Sequence, residues 1–117
     1  MTQTVRWHIF PDAVTLCAHA AEAVLKCARE AITERGKFHV ALAGGRTPLD
    51  VYARLREAPA DWARWHVYFG DERCLPANGP GRNDFNARRV WLDRVLIPPD
   101  QIHVIPAELG SEIAAAR

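Results

Sequence analysis

The chain has 117 residues, of which 49% are hydrophobic and 25% are charged, an ordinary composition for one soluble globular domain. Lysine and arginine (15) nearly balance aspartate and glutamate (14), so the formal net charge of +1 argues against a nucleic-acid or membrane surface. Residues 1–12 lack the basic head and apolar core of a secretion signal. Three cysteines do not make a disulfide framework, so we expect a cytoplasmic protein with reduced thiols.

The first part of the chain predicts a strand followed by a long helix. Residues 5–10 form a short, mainly apolar run that is typical of a strand. Pro11 and Asp12 then open an amphipathic helix, whose apolar residues recur at helical spacing until Gly36 provides a stop.

A second strand and a second helix follow. Residues 38–43 contain little polar character beyond His39, as expected for a strand covered on both faces. Thr47 is the predicted N-cap of the next helix, with Pro48 at its first position and Asp50 where a capping-box acid belongs.

The second part of the chain repeats the alternation of strand and helix. Residues 65–69 predict a buried third strand, which is followed by a long loop, and Asn83 or Asp84 starts a third helix. The apolar residues expected on the inner side of that helix are Phe85, Leu92, Val95 and Leu96. Residues 102–105 predict a fourth strand, and Ser111 begins a last helix.

The predicted order of elements is therefore β-α-β-α-β-α-β-α in one α/β domain that comprises residues 1–117. Such alternation favours a parallel, Rossmann-like sheet with right-handed crossovers and helices on both faces. Ligands bind beyond the carboxyl ends of the strands in open sheets of this kind. The loops "GGRTP" and "GDER" follow two of the strands, so we expect them to open on the same edge of the sheet.

The loop "GGRTP" has two readings. Glycine amides, a helix N-terminus, the Thr47 hydroxyl and the Arg46 guanidinium would together suit a phosphate group. The same residues would also suit a tight strand-to-helix turn without a ligand. The loop has neither the Walker spacing nor the dinucleotide-binding glycine spacing.

The loop "GDER" places three charges directly after a buried strand. If the backbone stays extended, Asp71 and Arg73 point into the cleft and Glu72 points away from it. The pair would orient a water or a catalytic partner, or hold a phosphate; the alternative is a solvated loop salt bridge. His8, His39, His66 and His103 are spread over the predicted strands without the short spacing of a metal site, so we predict neither a metal nor a cofactor.

Three ordered motifs resemble the 6-phosphogluconolactonase family: "FHVALAGGRTP", then "WARWHVYFGDERCLP", then "NDFNARRVWLDRVLIPPDQIHVIP". The resemblance implies the parallel α/β fold shared with glucosamine-6-phosphate deaminases and ribose-5-phosphate isomerases. It also implies metal-independent hydrolysis of a phosphosugar lactone, 6-phosphoglucono-1,5-lactone, in the pentose phosphate pathway. The arginine of "GDER" favours the lactonase branch, because the deaminases carry an Asp-Glu-Tyr type signature there.

Carried over by position, the resemblance places Gly44, Gly45, Arg46 and Thr47 along the phosphosugar site. It places Asp71 and Arg73 at the catalytic centre, with Asn83 supporting the pocket. The family often has Ser-Asn where this chain has Arg82-Asn83, which leaves the role of Arg82 open.

The resemblance also implies a longer protein. The family is about twice this length, and its second half carries a Gly-x-Asp-Gly-His-Thr motif whose histidine is the expected general base; these 117 residues do not contain that motif. We therefore expect the N-terminal half of a lactonase, with little or no activity of its own. The alternatives are an amino-sugar-phosphate deaminase or isomerase of the same superfamily, and a non-catalytic phosphosugar-binding module.

Overall fold

The computed structural model describes residues 3–117. Met1 and Thr2, which the predicted domain includes, lie outside the described residues. The helices and strands are α1 (Ala13–Arg35), β1 (Phe38–Leu42), α2 (Arg46–Arg56), β2 (Trp65–Phe69), α3 (Asn83–Val90), β3 (Ile102–His103) and α4 (Ser111–Ala115), with short 3-10 turns between them.

The long helix α1 begins and ends at the residues that the sequence predicts. The Asp12 carboxylate accepts a hydrogen bond of 2.7 Å from the amide of Thr15, which satisfies one of the unpaired donors of the first turn. Gly36 ends the helix in the left-handed conformation, with φ of 77°, which glycine adopts without steric cost. The predicted helix over this segment is confirmed.

The strands form a parallel sheet in the order β1-β2-β3. When strands are added in one direction, right-handed crossovers place the connecting helices on the same face of the sheet. Helices α2 and α3 are such connections, and α1, which precedes β1, packs in the same hydrophobic core. The predicted parallel α/β class is confirmed; within residues 3–117 these three helices cover one face of the sheet, whereas the sequence predicts helices on both faces.

The core is centred on aromatic side chains from β2 and from the end of α3. Trp65 and Trp91 are both 0% exposed and meet edge to face, with ring centroids 5.8 Å apart. Trp62 contacts both of them, with centroids 4.7 Å and 5.8 Å away. These three tryptophans therefore serve packing, and they fix β2 in the middle of the sheet.

The opposite face of the sheet carries a row of aromatic polar side chains. His39 pairs with His66 across β1 and β2, and Tyr68 pairs with His103 across β2 and β3. The two histidine rings stack at 4.8 Å, and the rings of Tyr68 and His103 stack at 4.5 Å. His39 and His103 are exposed, whereas His66 and Tyr68 are half-buried.

The predicted first strand is wrong. Residues 5–10 form no strand, and Val5, Trp7 and Ile9 are exposed, at 66%, 84% and 88%. A strand is defined by its pairing partner, and no other segment among residues 3–117 pairs with this one. His8 therefore lies outside any strand, contrary to prediction.

The ends of two later elements also differ from prediction. The fourth predicted strand is reduced to the two residues Ile102 and His103, because the chain leaves the sheet before Pro106. Helix α3 stops at Val90, so Leu96 lies outside it and is 86% exposed rather than directed inward. Leu92 is buried as predicted.

Candidate active site

Two loops meet at the carboxyl edge of the sheet. The glycine loop (residues 43–47) follows β1 and leads into α2, and the acidic loop (residues 70–74) follows β2. The strand ends are in register, since Leu42 pairs with Phe69 and the amide of Gly70 donates to the carbonyl of Leu42 at 3.0 Å. The expected opening of both loops on one edge is confirmed.

The glycine loop is held through its backbone by a tyrosine from α2. The Tyr52 hydroxyl accepts from the amide of Ala43 at 3.1 Å and donates to the carbonyl of the same residue at 2.9 Å. Burial raises the pKa of Tyr52, although the hydrogen bond from the Ala43 amide acts in the opposite direction. The hydroxyl therefore remains a donor near neutral pH.

The N-terminus of α2 is open. Gly45 is its N-cap with φ of 107°, so the predicted N-cap Thr47 already lies within the helix; that prediction is wrong because the glycine, and not the hydroxyl, makes the turn. Within the described chain no side chain caps this helix, so neither Thr47 nor Asp50 has the predicted capping contact. Arg46 and Thr47 are both exposed beside the uncapped amides. Such an end of a helix attracts anions.

The acidic loop alternates its side chains as predicted. Asp71 and Arg73 are exposed, whereas the Glu72 side chain between them is 1% exposed. One guanidinium nitrogen of Arg73 donates to the carbonyl of Gly81 at 3.0 Å, which keeps its stem against the long loop before α3.

The Glu72 side chain caps the N-terminus of α3, although it precedes Asn83 by 11 residues in the sequence. Its carboxylate accepts hydrogen bonds from the amide of Asn83 at 2.6 Å and from the amide of Asp84 at 2.8 Å. It also accepts from the amide of Arg73 at 2.8 Å. A negative charge is favourable at the N-terminus of a helix, so one buried carboxylate joins the acidic loop to the start of α3.

Arg82 is 1% exposed and is the positive charge among three carboxylates, those of Glu72, Asp84 and Glu108. It donates to Asp84 and to Glu108, each at 2.9 Å, and its Nε lies 3.9 Å from Glu72. Burial alone would lower the pKa of Arg82, but the hydrogen bonds to Glu108 and Asp84 and the nearby carboxylate charges raise it overall. The hydrogen bond from Arg82 in turn lowers the pKa of Glu108.

Asn83 joins the two loops. Its side-chain amide donates to the Asp71 carboxylate at 3.1 Å and to the Asp71 carbonyl at 3.2 Å. The same side chain lies directly against Gly44, where an added Cβ would overlap it. The structure therefore brings Gly44, Asp71 and Asn83 together, with Gly45, Arg46 and Thr47 next along the glycine loop.

Sequence reasoning missed three residues that shape this site. The sequence indicates no role for Tyr52 or Arg82 at this edge, and for Glu72 it predicts only a side chain that points away from the cleft. The capping role of Glu72 leaves no pattern in the sequence, because a capping box joins residues only three apart and Glu72 lies across a long loop from Asn83. The one available signal was "RND", a charged pair at the expected start of a helix.

The histidines do not contribute to this edge of the sheet. His39 and His66 are the second residues of β1 and β2, and His103 is the last residue of β3; their rings stack along the open face of the sheet. In the described part of the chain, no three histidine, cysteine, aspartate or glutamate side chains are grouped so as to hold a metal ion. Nor does any described helix have the length and apolar character needed to cross a membrane.

The fold and the site define a parallel α/β protein with an anion-suited loop and an acidic loop at one sheet edge. Comparison of the sequence with family models gives a match over residues 11–117 to "Glucosamine-6-phosphate isomerases/6-phosphogluconolactonase". The chain belongs to this family.

Individual relatives agree with the family match. The chain is 38% identical over 106 residues to the 6-phosphogluconolactonase of Nostoc sp.. The aligned region covers 91% of this chain and 43% of the Nostoc protein. The chain is 32% identical to the 6-phosphogluconolactonase of Streptomyces coelicolor, covering 99% of this chain and 47% of the relative. The chain therefore spans a little less than half the length of these relatives.

Solved structures show the same relation. The crystal structure of 6-phosphogluconolactonase from Thermotoga maritima matches with a TM-score of 0.80 and 33% identity, covering 86% of this chain and 46% of that one. The 6-phosphogluconolactonase of Trypanosoma brucei also gives a TM-score of 0.80, at 24% identity, which supports the fold.

Proposed function

We propose that this chain supplies the phosphosugar-binding edge of a 6-phosphogluconolactonase, which hydrolyses 6-phospho-D-glucono-1,5-lactone to 6-phospho-D-gluconate. The observation that carries the proposal is the junction of the two loops, where Asn83 packs on Gly44 and bonds to Asp71. The names of the relatives support the same reaction. Residues 1–117 would form the N-terminal half of the domain, acting in the pentose phosphate pathway of the cytoplasm, where the free cysteines Cys17, Cys27 and Cys74 stay reduced.

In this proposal the glycine loop binds the phosphate of the substrate. The uncapped amides of α2 and the amides of Gly44 and Gly45 are donors to the phosphate oxygens. The Thr47 hydroxyl adds another donor, and the exposed Arg46 guanidinium adds a permanent charge with a planar fork. Tyr52 keeps the loop in place without contacting the ligand.

The acidic loop faces the lactone ring. Ring opening requires a water activated by a base, together with donors for the oxyanion that forms at the carbonyl. Asp71, held by Asn83, orients the water or the protonated base, and Arg73 donates to the developing oxyanion. His8 precedes α1, His19 lies within α1, and the other three histidines lie on the strands, so no histidine belongs to either loop of the site. We therefore assign the base itself to the half of the relatives' length that this chain does not span.

The test uses the protein encoded by the complete reading frame that contains these residues. With freshly generated 6-phosphogluconolactone, acid release should exceed the spontaneous rate at every enzyme concentration. Asp71→Asn and Arg73→Met should each lower kcat/KM about 100-fold or more, the effect of removing one preorganised group. Arg29→Met, on the exposed side of α1, is the matched control and should leave the rate unchanged.

Three other outcomes would contradict the proposal, the first two on the reaction and the third on the residues. Acid release at only the spontaneous rate, with ammonia release from glucosamine 6-phosphate, would place the protein in the deaminase branch. Binding of 6-phosphogluconate without turnover of either compound would identify a binding module. Full activity of Asp71→Asn and Arg73→Met would remove the catalytic roles of these two residues.

A further inference from the structure

We propose that Glu72 and Arg82 are positioning residues, which hold Asn83 and thereby fix the Asp71 carboxylate against the glycine loop. The inference rests on the proposed function of Asp71 and deepens it. Neither residue faces the cleft, so both act through Asn83.

Glu72 fixes the backbone of Asn83. Its side chain is 1% exposed, and its two oxygens are divided between the amide of Asn83, at 2.6 Å, and the amide of Asp84, at 2.8 Å. Hydrogen bonds to a buried carboxylate are short and strong, and they set both the position and the direction of the first turn of α3. The neighbouring amide of Arg73 donates to the same carboxylate, so the acidic loop moves together with Asn83.

Arg82 joins three chain segments by hydrogen bonds, and its Nε lies 3.9 Å from the Glu72 carboxylate as the opposite charge. Every N–H of its guanidinium has an acceptor: Asp84 for Nε, Leu75 and Glu108 for Nη1, and Asp84 and Ile105 for Nη2. These acceptors belong to the loop after β2, the start of α3 and the segment after β3. A planar fork satisfies such a set, whereas a lysine ammonium would satisfy only part of it.

Asn83 connects the buried residue Glu72 to the Asp71 carboxylate. The residue is joined to Glu72 by its backbone and to Asp71 by its side chain, at 3.1 Å from the carboxylate. Its side chain also fills the space above Gly44, so a small rotation of the α3 terminus would separate the two loops. The position of Asp71 is therefore set by charges that the substrate does not contact.

The experiment combines amide hydrogen exchange and NMR of the complete protein for the wild type, Glu72→Gln, Arg82→Lys and Arg82→Met. In Glu72→Gln the amides of Asn83 and Asp84 should exchange at least about 10-fold faster, the loss expected for a hydrogen bond to a charged group. The side-chain amide resonances of Asn83 should shift toward those of a free amide. Strand β2 should keep its protection, and the exposed Glu34→Gln should change nothing.

The wild type provides a second measurement should Glu72→Gln fail to fold. Its Asn83 and Asp84 amides should exchange at least about 10-fold more slowly than the amide of Thr47, which occupies the uncapped first turn of α2. Equal protection at the two helix ends would overturn the proposal. So would unchanged exchange at Asn83 and Asp84 in a folded Glu72→Gln.

Activity of the complete protein separates positioning from simple destabilisation. At a temperature where all variants are folded, Glu72→Gln should lower kcat at least about 10-fold with little change in KM, because Asp71 acts on the transition state. Arg82→Lys should retain more activity than Arg82→Met. Equal activity of Arg82→Lys and Arg82→Met would argue against positioning by the fork. If the wild type does not hydrolyse the lactone, the proposed function fails, and the exchange data alone decide the positioning of Asn83.

Discussion

The glycine loop and the acidic loop lie side by side, but they are held in place in opposite ways. The glycine loop is exposed, and its fixed points are the unusual φ of Gly45 and the hydroxyl of Tyr52. The acidic loop is held by buried ionised side chains, since those of Glu72 and Arg82 are only 1% and 2% exposed. The first amides of α2 are thus left uncapped, whereas buried charge supports Asn83, which bonds to Asp71.

The difference indicates where each loop tolerates change. The stability of the glycine loop depends on its backbone conformation, so exchanging its exposed side chains should change the free energy of unfolding little. A loop resting on a buried ion cluster is sensitive to any loss of charge balance, because the remaining charges stay in a poorly solvated place. The following predictions test this contrast, and each compares one position with a matched control.

The largest effect should come from Arg82→Met. The substitution leaves Glu72 and Asp84 without their counter-charge, and breaking a buried pair costs about 3–5 kcal/mol. The control Arg46→Met removes an exposed arginine of the glycine loop and should change the free energy of unfolding by less than about 0.5 kcal/mol. Urea unfolding followed by tryptophan fluorescence measures both values, and similar values for the two variants would contradict the contrast.

Tyr52→Phe should have the next largest effect on stability. The change keeps the ring and removes the only group that pairs both the amide and the carbonyl of Ala43 in the described chain, so a loss of about 1–3 kcal/mol is expected. Tyr68→Phe is the control, because its hydroxyl lies on the open face of the sheet, 3.1 Å from a nitrogen of His39. Thermal unfolding measures both variants, and a larger loss of stability in Tyr68→Phe than in Tyr52→Phe would refute the support of the loop by Tyr52.

Gly44→Ala should weaken the junction between the loops. The new Cβ would overlap the Asn83 side chain, which must rotate away and give up its bonds to Asp71, at a cost of about 1–2 kcal/mol. Gly70→Ala is the control in the acidic loop, since its Cβ would meet only the Leu42 carbonyl at an ordinary distance of 3.6 Å. The Asn83 side-chain resonances should move in Gly44→Ala alone; movement in both variants would count against a specific contact.

The smallest effect concerns pH and lies away from both loops. Burial, followed by the charges of His39, His103 and Lys37, lowers the pKa of His66 below 6.5, and Asp100 opposes this. The unfolded chain therefore binds the proton more readily, so the contribution of His66 to stability is present above pH 6.5 and decreases as the pH falls through that value.

The unfolding free energy at about pH 7.5 and about pH 5.5 measures this dependence, since histidine titrates between them. His66→Gln should make the loss of stability on acidification smaller, whereas His8→Gln, in the exposed N-terminal segment, should leave it as in the wild type. An equal pH dependence in His66→Gln and the wild type would show that His66 does not contribute.

Much of the fold was predictable because its signals are local. The span 65–69 of β2 follows from a run of aromatic and β-branched residues, and the ends of α1 follow from the capping chemistry of Asp12 and Gly36. The convergence of the two loops also followed, because the carboxyl ends of parallel strands share one edge. The predicted roles of the loop residues remain proposals.

The errors have a common physical origin. The run at residues 5–10 has the composition of a strand, but a strand forms only where a neighbouring backbone offers a ladder of hydrogen bonds. Thr47 has the chemistry of an N-cap, yet the φ of Gly45 starts the helix earlier. Both cases depend on backbone geometry that residue type alone does not define.

The sequence by itself determined the parallel α/β class, the order of the helices and strands from α1 onward, and the two loops that open on one edge of the sheet, because periodicity, capping and strand-end position act within a few residues. Only the tertiary structure decided how those loops are held. Glu72 reaches across the long loop to the start of α3, and Arg82 becomes a buried counter-charge because carboxylates from three segments surround it. Such burial depends on which distant segments meet, and that information resides in the packed fold.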